Sequence, residues 1–322
     1  MGHSPLATIC VANYNNAAYL TEALDSIYNQ TYQNIELIII DDCSKDKSVS
    51  LIDDWISLKK TRFASVEFIK HEVNRGINYV VNLMLERATG EYFSMLASDD
   101  AILPDKLAIQ VNTLEELGEE YAMVYGDTMI IDENGKTIDA SLFKGMIGDI
   151  GPCPSGHIFN EVVENFFFYN QAVLIRMSAI KALNFRFNEK YISEDWYLQL
   201  CLAKKYKVQG LRTVFAKYRI LPTSVTRQNW NEKNMHKVTF SHFLMLYSFL
   251  KAEKIESETR AILTQRLRKL MFFMDTLTIK SRPDLIKIAW VVFLKSFNFY
   301  DAVCLMNLLL TGNLTGFRNC LL

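Results

Sequence analysis

The run Ile35–Ile40 constrains this chain more than any other segment. It is rich in β-branched residues and does not alternate polar with apolar, so it predicts a strand covered on both faces. Its neighbours repeat the theme. Thr8–Ala12 reads as a strand that ends in the turn cluster Asn13-Tyr14-Asn15-Asn16. Leu20, Leu24, Ile27 and Tyr28 then mark one helical face. After Asp41-Asp42-Cys43-Ser44, a helix is expected through Leu51, Ile52 and Trp55, and Val66–Ile69 reads as a third strand ending near Asn74-Arg75-Gly76. Ile77, Val80, Val81, Met84 and Ala88 mark another helix. Tyr92–Leu96 gives a fourth strand, ending in Ser98-Asp99-Asp100, and Pro104 opens a helix carrying Leu107, Val111 and Leu114. Strands alternating with helices make a parallel α/β sheet.

Such sheets bind ligands beyond the carboxyl ends of their strands. In this chain those ends carry Ala12–Asn15, Asp41/Asp42, Asn74/Arg75 and Asp99/Asp100, so polar residues gather where the topology predicts a site. Past Tyr121 the pattern changes. Ala122–Gly126 and Thr128–Ile131 read as strands, with Asp132-Glu133-Asn134-Gly135 as a hairpin turn. Phe143–Ser155 is Gly/Pro-rich and reads as a mobile loop. Ala172–Ile175 reads as a strand, and Ser193 as the cap of a helix running to about Lys205. From about Trp230 onward helical periods dominate.

The length of 322 residues suits about two domains. Net charge is −1, which gives no general attraction to nucleic acid. That figure hides an asymmetry: residues 230–322 hold 13 Lys and Arg against 7 Asp and Glu, and the acidic excess lies before them. The six cysteines form no C-x-x-C pair, and Met1–Pro5 has no basic start followed by a long apolar run, so the expected location is cytoplasmic. The greasiest stretch, Leu285–Leu310, is broken by Lys287, Lys295 and Asp301 and is not read as a spanning helix.

Several chemistries drop out. No G-x-G-x-x-G follows the first strand, and G-x-x-x-x-G-K-[ST], H-E-x-x-H and G-x-S-x-G are all absent. The five histidines do not cluster. What remains is carboxylates at strand ends. Asp99-Asp100 suits a hard divalent cation shared with a diphosphate, or else one of the two caps the following helix. Asp41-Asp42 fits either a ligand site or ordinary turn chemistry. Arg75 is either a solvated loop charge or a counter-charge for a diphosphate. Glu194-Asp195 opens a helix, where the dipole favours acids whatever their function.

Three segments resemble family 2 glycosyltransferases. Ile9-Cys-Val-Ala-Asn-Tyr-Asn-Asn16, Ala23–Tyr32 and Glu36–Ser44 are similar to that family's opening. Gly90–Asp100 with Leu103–Leu107 is similar to its metal-binding segment, and Ser193-Glu-Asp-Trp-Tyr-Leu198 to its catalytic-base segment. The resemblance covers roughly residues 5–228 in the right order. It implies a GT-A fold, a Rossmann-like and mostly parallel sheet flanked by helices, with a C-terminal helical extension. The implied domains are a catalytic region at 1–228, with a nucleotide-sugar half at about 1–126 and an acceptor half at about 127–228, and a helical region at 229–322.

The implied activity is inverting transfer from a nucleotide-sugar, most simply a UDP-sugar, to an acceptor hydroxyl. Carried over residue by residue, Ala12 and Tyr14 line the nucleoside pocket. Asp42 accepts a hydrogen bond from the base, Asp41 supports that turn, and Arg75 lies on the nucleotide side. Asp99 contacts ribose or donor, and Asp100 is the chief ligand of Mn2+ or Mg2+. Asp195 is the general base, positioned by Glu194, with a pKa expected to be raised by partial burial. Arg219 and Ser224 are expected to touch the diphosphate, and Phe143–Pro154 with Asn170-Gln171 to meet the acceptor. Two departures weaken metal dependence: position 97 is Ala where the family often has Asp, and Leu221 stands where it often has His. The processive Q-x-x-R-W element is absent, which reads as single addition.

The expected acceptor is a glycan or lipid-linked oligosaccharide in surface-polysaccharide assembly. The C-terminal basic residues Arg260, Arg266, Arg268, Lys269, Lys280, Arg282, Lys287 and Lys295 accompany apolar runs. They suit either an anionic membrane surface, as a peripheral protein at the inner face, or a helical cap on the catalytic region. Two other readings are a nucleotide-sugar-binding protein without catalysis and a sugar-1-phosphate nucleotidyltransferase.

Overall fold

The computed structural model describes residues 4–147, 153–165, 168–188, 195–222, 224, 235–251 and 255–276. The chain divides into two compact units, one built from residues 1–162, 166–190 and 194–221, the other chiefly from residues 222–322.

The larger unit is α/β. Its first half runs β1 (Ala7–Asn13), α1 (Leu20–Tyr28), β2 (Ile35–Asp41), α2 (Ser48–Lys59), β3 (Ser65–Lys70), α3 (Ile77–Arg87) and β4 (Tyr92–Ala97). Next come β5 (Ala101–Ile102), α4 (Lys106–Leu117), β6 (Tyr121–Ile131), β7 (Thr137–Asp139), β8 (Val173–Arg176) and β9 (Lys207–Arg219). The strands form one sheet in the order β3-β2-β1-β4-β8-β6-β9-β5, with β7 paired to β6. β1 is parallel to both β2 and β4, and β2 is parallel to β3. β8 lies antiparallel to β4 and β6, and β6 is parallel to β9.

Every residue of β2 is buried, as the unbroken apolar run requires. Ile35, Leu37 and Ile39 join a core with Leu20, Leu24 and Ile27 of α1 and Trp55 of α2. The alternate residues Ile38 and Ile40 are equally buried on the opposite side. α1 places Leu20, Ala23, Leu24 and Ile27 inward at helical spacing, and burying each such side chain is worth about 1.5–3 kcal/mol. The chain passes from β1 to β2 and β3 on one side and then returns to place β4 on the other. That reversal opens a crevice between the carboxyl ends of β1 and β4.

Several local expectations change. Ala122–Gly126 and Thr128–Ile131 are a single strand, β6, and Lys207–Arg219 forms a further strand, β9, that the sequence pattern does not mark. Phe143 does not open a loop. Leu142–Ile147 is a helix with Phe143 buried, held because buried Asp127 Oδ1 accepts the Phe143 N–H at 3.0 Å and Ser141 Oγ bonds the same carboxylate. Residues 148–152 of that stretch and Ser193 lie outside the described residues.

In the second unit, helices Met235–Leu250 and Ser257–Thr276 pack on each other. Burial, with the Arg266 charge adding to it, pushes His242 down to about 4, so this histidine is neutral at physiological pH. Arg260, Arg266, Arg268 and Lys269 belong to the second helix, whereas Lys280, Arg282, Lys287 and Lys295 lie outside the described residues. Among the described residues no helix is long and apolar enough to cross a membrane.

Candidate functional site

Register sets the strand ends side by side: Asn13 pairs with Asp41 and Ala12 with Ala97. The pairing continues past the strands, since the Asp42 N–H donates to the Asn13 carbonyl and the Ser98 N–H to that of Ala12. Side chains then lock the turns together. Asp41 accepts the Ser44 N–H at 2.8 Å, the Ser44 hydroxyl at 2.6 Å and Asn13 Nδ2 at 2.6 Å. Ser44 Oγ in turn accepts the Asn15 N–H, and Asn16 Nδ2 reaches Ser98 Oγ across the crevice at 3.0 Å. Asn15 and Cys43 both sit at positive φ, 55° and 70°. Asn tolerates that conformation, but Cys does not, so the Asp42–Ser44 turn stores strain next to the crevice. Above this frame Tyr14 stands 47% exposed and Ala12 is half-buried.

Asp42 organises the loop after β3. Its Oδ1 accepts the Arg75 backbone N–H and its Oδ2 that of Gly76, each at 2.8 Å. Gly76 holds φ +83°, a left-handed value that only glycine adopts without cost. His71 Nδ1 lies 2.8 Å from Oδ1, so the ring nitrogen facing the carboxylate carries the proton. The His71 ring meets Tyr79 edge-on, and the exposed Arg75 guanidinium lies over the same Tyr79 ring at 4.1 Å from its centroid.

Across the crevice Asp99 is half-buried and Asp100 only 4% exposed. Burial raises the pKa of both carboxyls, and the Asp99 charge raises that of Asp100 further. Asp100 Oδ1 accepts the Arg219 backbone N–H at 2.8 Å. Arg219 does not match its expected role. Its guanidinium is 2% exposed and is spent on the carbonyls of Asp99, Asp132 and Glu133 and on the carboxylate of Glu22, with Tyr19 stacked against it. It is a strut beneath the Asp99–Asp100 turn. Leu221 is buried, and Ala97 is exposed with no ligand atom to offer. Among the described residues no group of three His, Cys, Asp or Glu side chains converges on a metal position.

Asp195 is the first residue of helix Asp195–Lys205; Glu194 lies outside the described residues. Asp195 reaches the same sheet end through the short turn Asn170–Ala172, which precedes β8. Because β8 runs antiparallel to β4, that turn lies near the carboxyl end of β4, against β4, β5 and β9. Asn170 Nδ2 donates to Asp195 Oδ2 at 3.1 Å, and the Trp196 N–H donates to Oδ1 at 2.9 Å. Gln199 Nε2, one helical turn on, holds Asn170 Oδ1 at 3.3 Å and so fixes which way the Asn170 amide faces. Burial outweighs the backbone N–H bonds and pushes Asp195 up to about 6 from 3.8. Asn170, expected to meet an acceptor, thus turns its amide toward Asp195.

Sequence reasoning missed His71, Ser98 and Gln199. The five histidines do not cluster in sequence, yet His71 follows the last residue of β3 and so sits at a strand end like the other candidates.

Residues 8–182 match the glycosyl transferase family 2 profile, and the chain belongs to that family. An uncharacterized glycosyltransferase of Haemophilus influenzae is 27% identical over 255 residues, 76% of each chain. One from Rickettsia felis is 35% identical over 139 residues, which is 42% of this chain and 22% of that protein. The chain therefore spans less than a quarter of the Rickettsia felis relative. The fold is GT-A: the chain superposes on S. aureus TarS 1–349 in complex with UDP-GlcNAc with a TM-score of 0.70 and 18% identity, covering 98% of this chain and 90% of that one. A mannosyltransferase from Pyrobaculum calidifontis in complex with GDP-Man and Mn2+ gives a TM-score of 0.61 and 17% identity, covering 96% and 80%.

Proposed function

We propose that this chain transfers a sugar from a nucleotide-sugar, most simply a UDP-sugar, to an acceptor hydroxyl with inversion at the anomeric carbon. One observation carries the reading: Asp42, Asp100 and Asp195, widely spaced in sequence, lie at the same end of one sheet, and burial raises the Asp195 pKa to about 6. The base lies against Tyr14 and Ala12 with its N–H on Asp42, while Arg75 and Asp99 face the rest of the donor. Asp195 takes the acceptor proton as the hydroxyl attacks opposite the diphosphate, and a pKa near 6 leaves it ionised yet basic at pH 7. Glu194 precedes it as a positioning residue.

The site suits Mn2+ or Mg2+. The adjacent carboxylates of half-buried Asp99 and buried Asp100 carry a charge conflict that a divalent cation relieves, and such an ion needs only one or two protein carboxylates when it also binds phosphate oxygens and water. Asp100 would hold it, and when bound it would offset charge on the departing diphosphate. The acceptor class that fits is a glycan or lipid-linked oligosaccharide used in surface-polysaccharide assembly, with the C-terminal helices at the membrane surface. A thermal-shift panel of nucleotides and nucleotide-sugars with and without Mn2+ tests the donor. Uridine nucleotides should stabilise the protein, more so with Mn2+. A flat response to every nucleotide would contradict the reading.

A pH dependence follows from Asp195. Its carboxylate must be deprotonated to act, so kcat/KM should rise with pH through an acidic limb near 6. Burial raises the pKa of Tyr169, ring-paired with Tyr218, and the Tyr218 and Asp195 charges add to it. Asn170→Ala removes a bond that favours the charged form, so the limb should move up by about one unit. Rate profiles from pH 4.5 to 8.5 measure this, and an unmoved limb would separate Asn170 from the base.

A further inference from the structure

We propose that His71 sets the base specificity of the donor site by restricting Asp42 to a single further hydrogen-bond donor. The proposal rests on the reading of Asp42 as the base-binding residue. A carboxylate offers about four in-plane lone pairs. Asp42 spends two on Oδ1, for the Arg75 N–H and His71 Nδ1–H, and one on Oδ2, for the Gly76 N–H. One position remains, on Oδ2. Uracil presents one imide N–H and fits that vacancy. Guanine presents two parallel donors, N1–H and the 2-amino group, which need both carboxylate oxygens. Cytosine and adenine turn a ring-nitrogen lone pair toward the carboxylate and are repelled.

The two backbone N–H groups belong to the loop itself, so His71 is the side chain that closes Oδ1. The ring is held for this. Its backbone N–H donates to the Asp41 carbonyl at 2.9 Å, and its edge packs on Tyr79 with the centroids 5.5 Å apart. The Asp42 side chain is only 7% exposed, so water competes poorly for the lone pair that His71 fills.

The test is calorimetric titration of UDP and GDP into wild type, His71→Phe and His71→Asn. The Phe variant keeps a ring against Tyr79 and removes the donor, whereas Asn keeps an N–H near the Nδ1 position. Wild type should prefer UDP. In His71→Phe the preference should narrow about tenfold, the worth of one hydrogen bond to a charged group, mainly through tighter GDP binding. His71→Asn should restore the wild-type ratio. His71→Ala serves as the second donor-less variant if the Phe ring perturbs folding in a melting curve. An unchanged ratio in the donor-less variants, or equal losses for both nucleotides, would overturn the role of His71. Asp42→Ala separates the two levels: if it binds UDP as wild type does, the reading of Asp42 falls, and this proposal with it.

Discussion

Asp195→Asn is expected to lower kcat by about 10²–10⁴, the usual contribution of a positioned general base, while donor affinity stays within about twofold. The acidic limb near 6 should vanish, because no titrating carboxylate remains at that position. Stability should move the other way. The Asp195 pKa is raised in the folded state, so the fold binds a proton more readily than the unfolded chain does, and stability drains away as pH rises from about 4 to about 6. A neutral amide escapes that loss, worth up to about 3 kcal/mol above pH 7. Part of the gain is returned, since the amide oxygen accepts from Asn170 or from the Trp196 N–H but not both. The melting temperature at pH 7.5 should therefore stay level or rise slightly while turnover collapses. A variant that keeps a third of wild-type kcat would remove Asp195 from the chemistry.

Arg219→Met should be the most destabilising single change among the residues around the crevice. The guanidinium joins the turns at Asp99 and Asp132–Glu133 to Glu22 on α1, and it does so buried. Glu22 is half-exposed, so the ion pair itself is screened and contributes little. The cost comes from the turn carbonyls: that of Asp99 loses its donor at about 1–3 kcal/mol, that of Asp132 keeps only the Gly135 N–H, and that of exposed Glu133 turns to water. A loss of about 2–4 kcal/mol is expected, or roughly 8 °C in melting temperature for a domain of this size. Arg219→Lys should recover only part, because an ammonium lacks the planar fork that reaches three segments at once. Differential scanning calorimetry reads both variants. A shift below about 2 °C for the Met variant would mean that the strut carries no load.

The contrast between these two residues shows what the sequence made legible. Strand ends were readable because Ile35–Ile40 is buried without interruption, β1 and β4 nearly so, and each stops at a polar turn, and Asp195 stood out in its motif. Arg219 was misjudged for a physical reason. Its partners come from residues 22, 99, 132 and 133, and β9 reaches them only after pairing with β6, a contact set by long-range folding. β9 itself escaped detection because Lys207, Arg212, Thr213 and Lys217 break its apolar pattern, with Gly210 packed against Tyr125 and Cys153. The role of His71 depends on the β2–β3 register, which sets Asp41 opposite Lys70. Asn82 is similar: its side chain exchanges two hydrogen bonds with the Phe187 backbone, anchoring the segment that leads toward Asp195. A single sequence carries no marker for such a pairing.

The most direct measurement is donor titration paired with turnover on wild type, Asp42→Ala, Asp100→Ala and Asp195→Asn, using a UDP-sugar with Mn2+. A common site predicts that the Asp42 and Asp100 variants lose at least about tenfold in donor affinity, while the Asp195 variant binds the donor as wild type does and fails to transfer it. Unchanged donor affinity in the first two, or full turnover in the third, would contradict a shared pocket at the carboxyl ends of β1, β2 and β4.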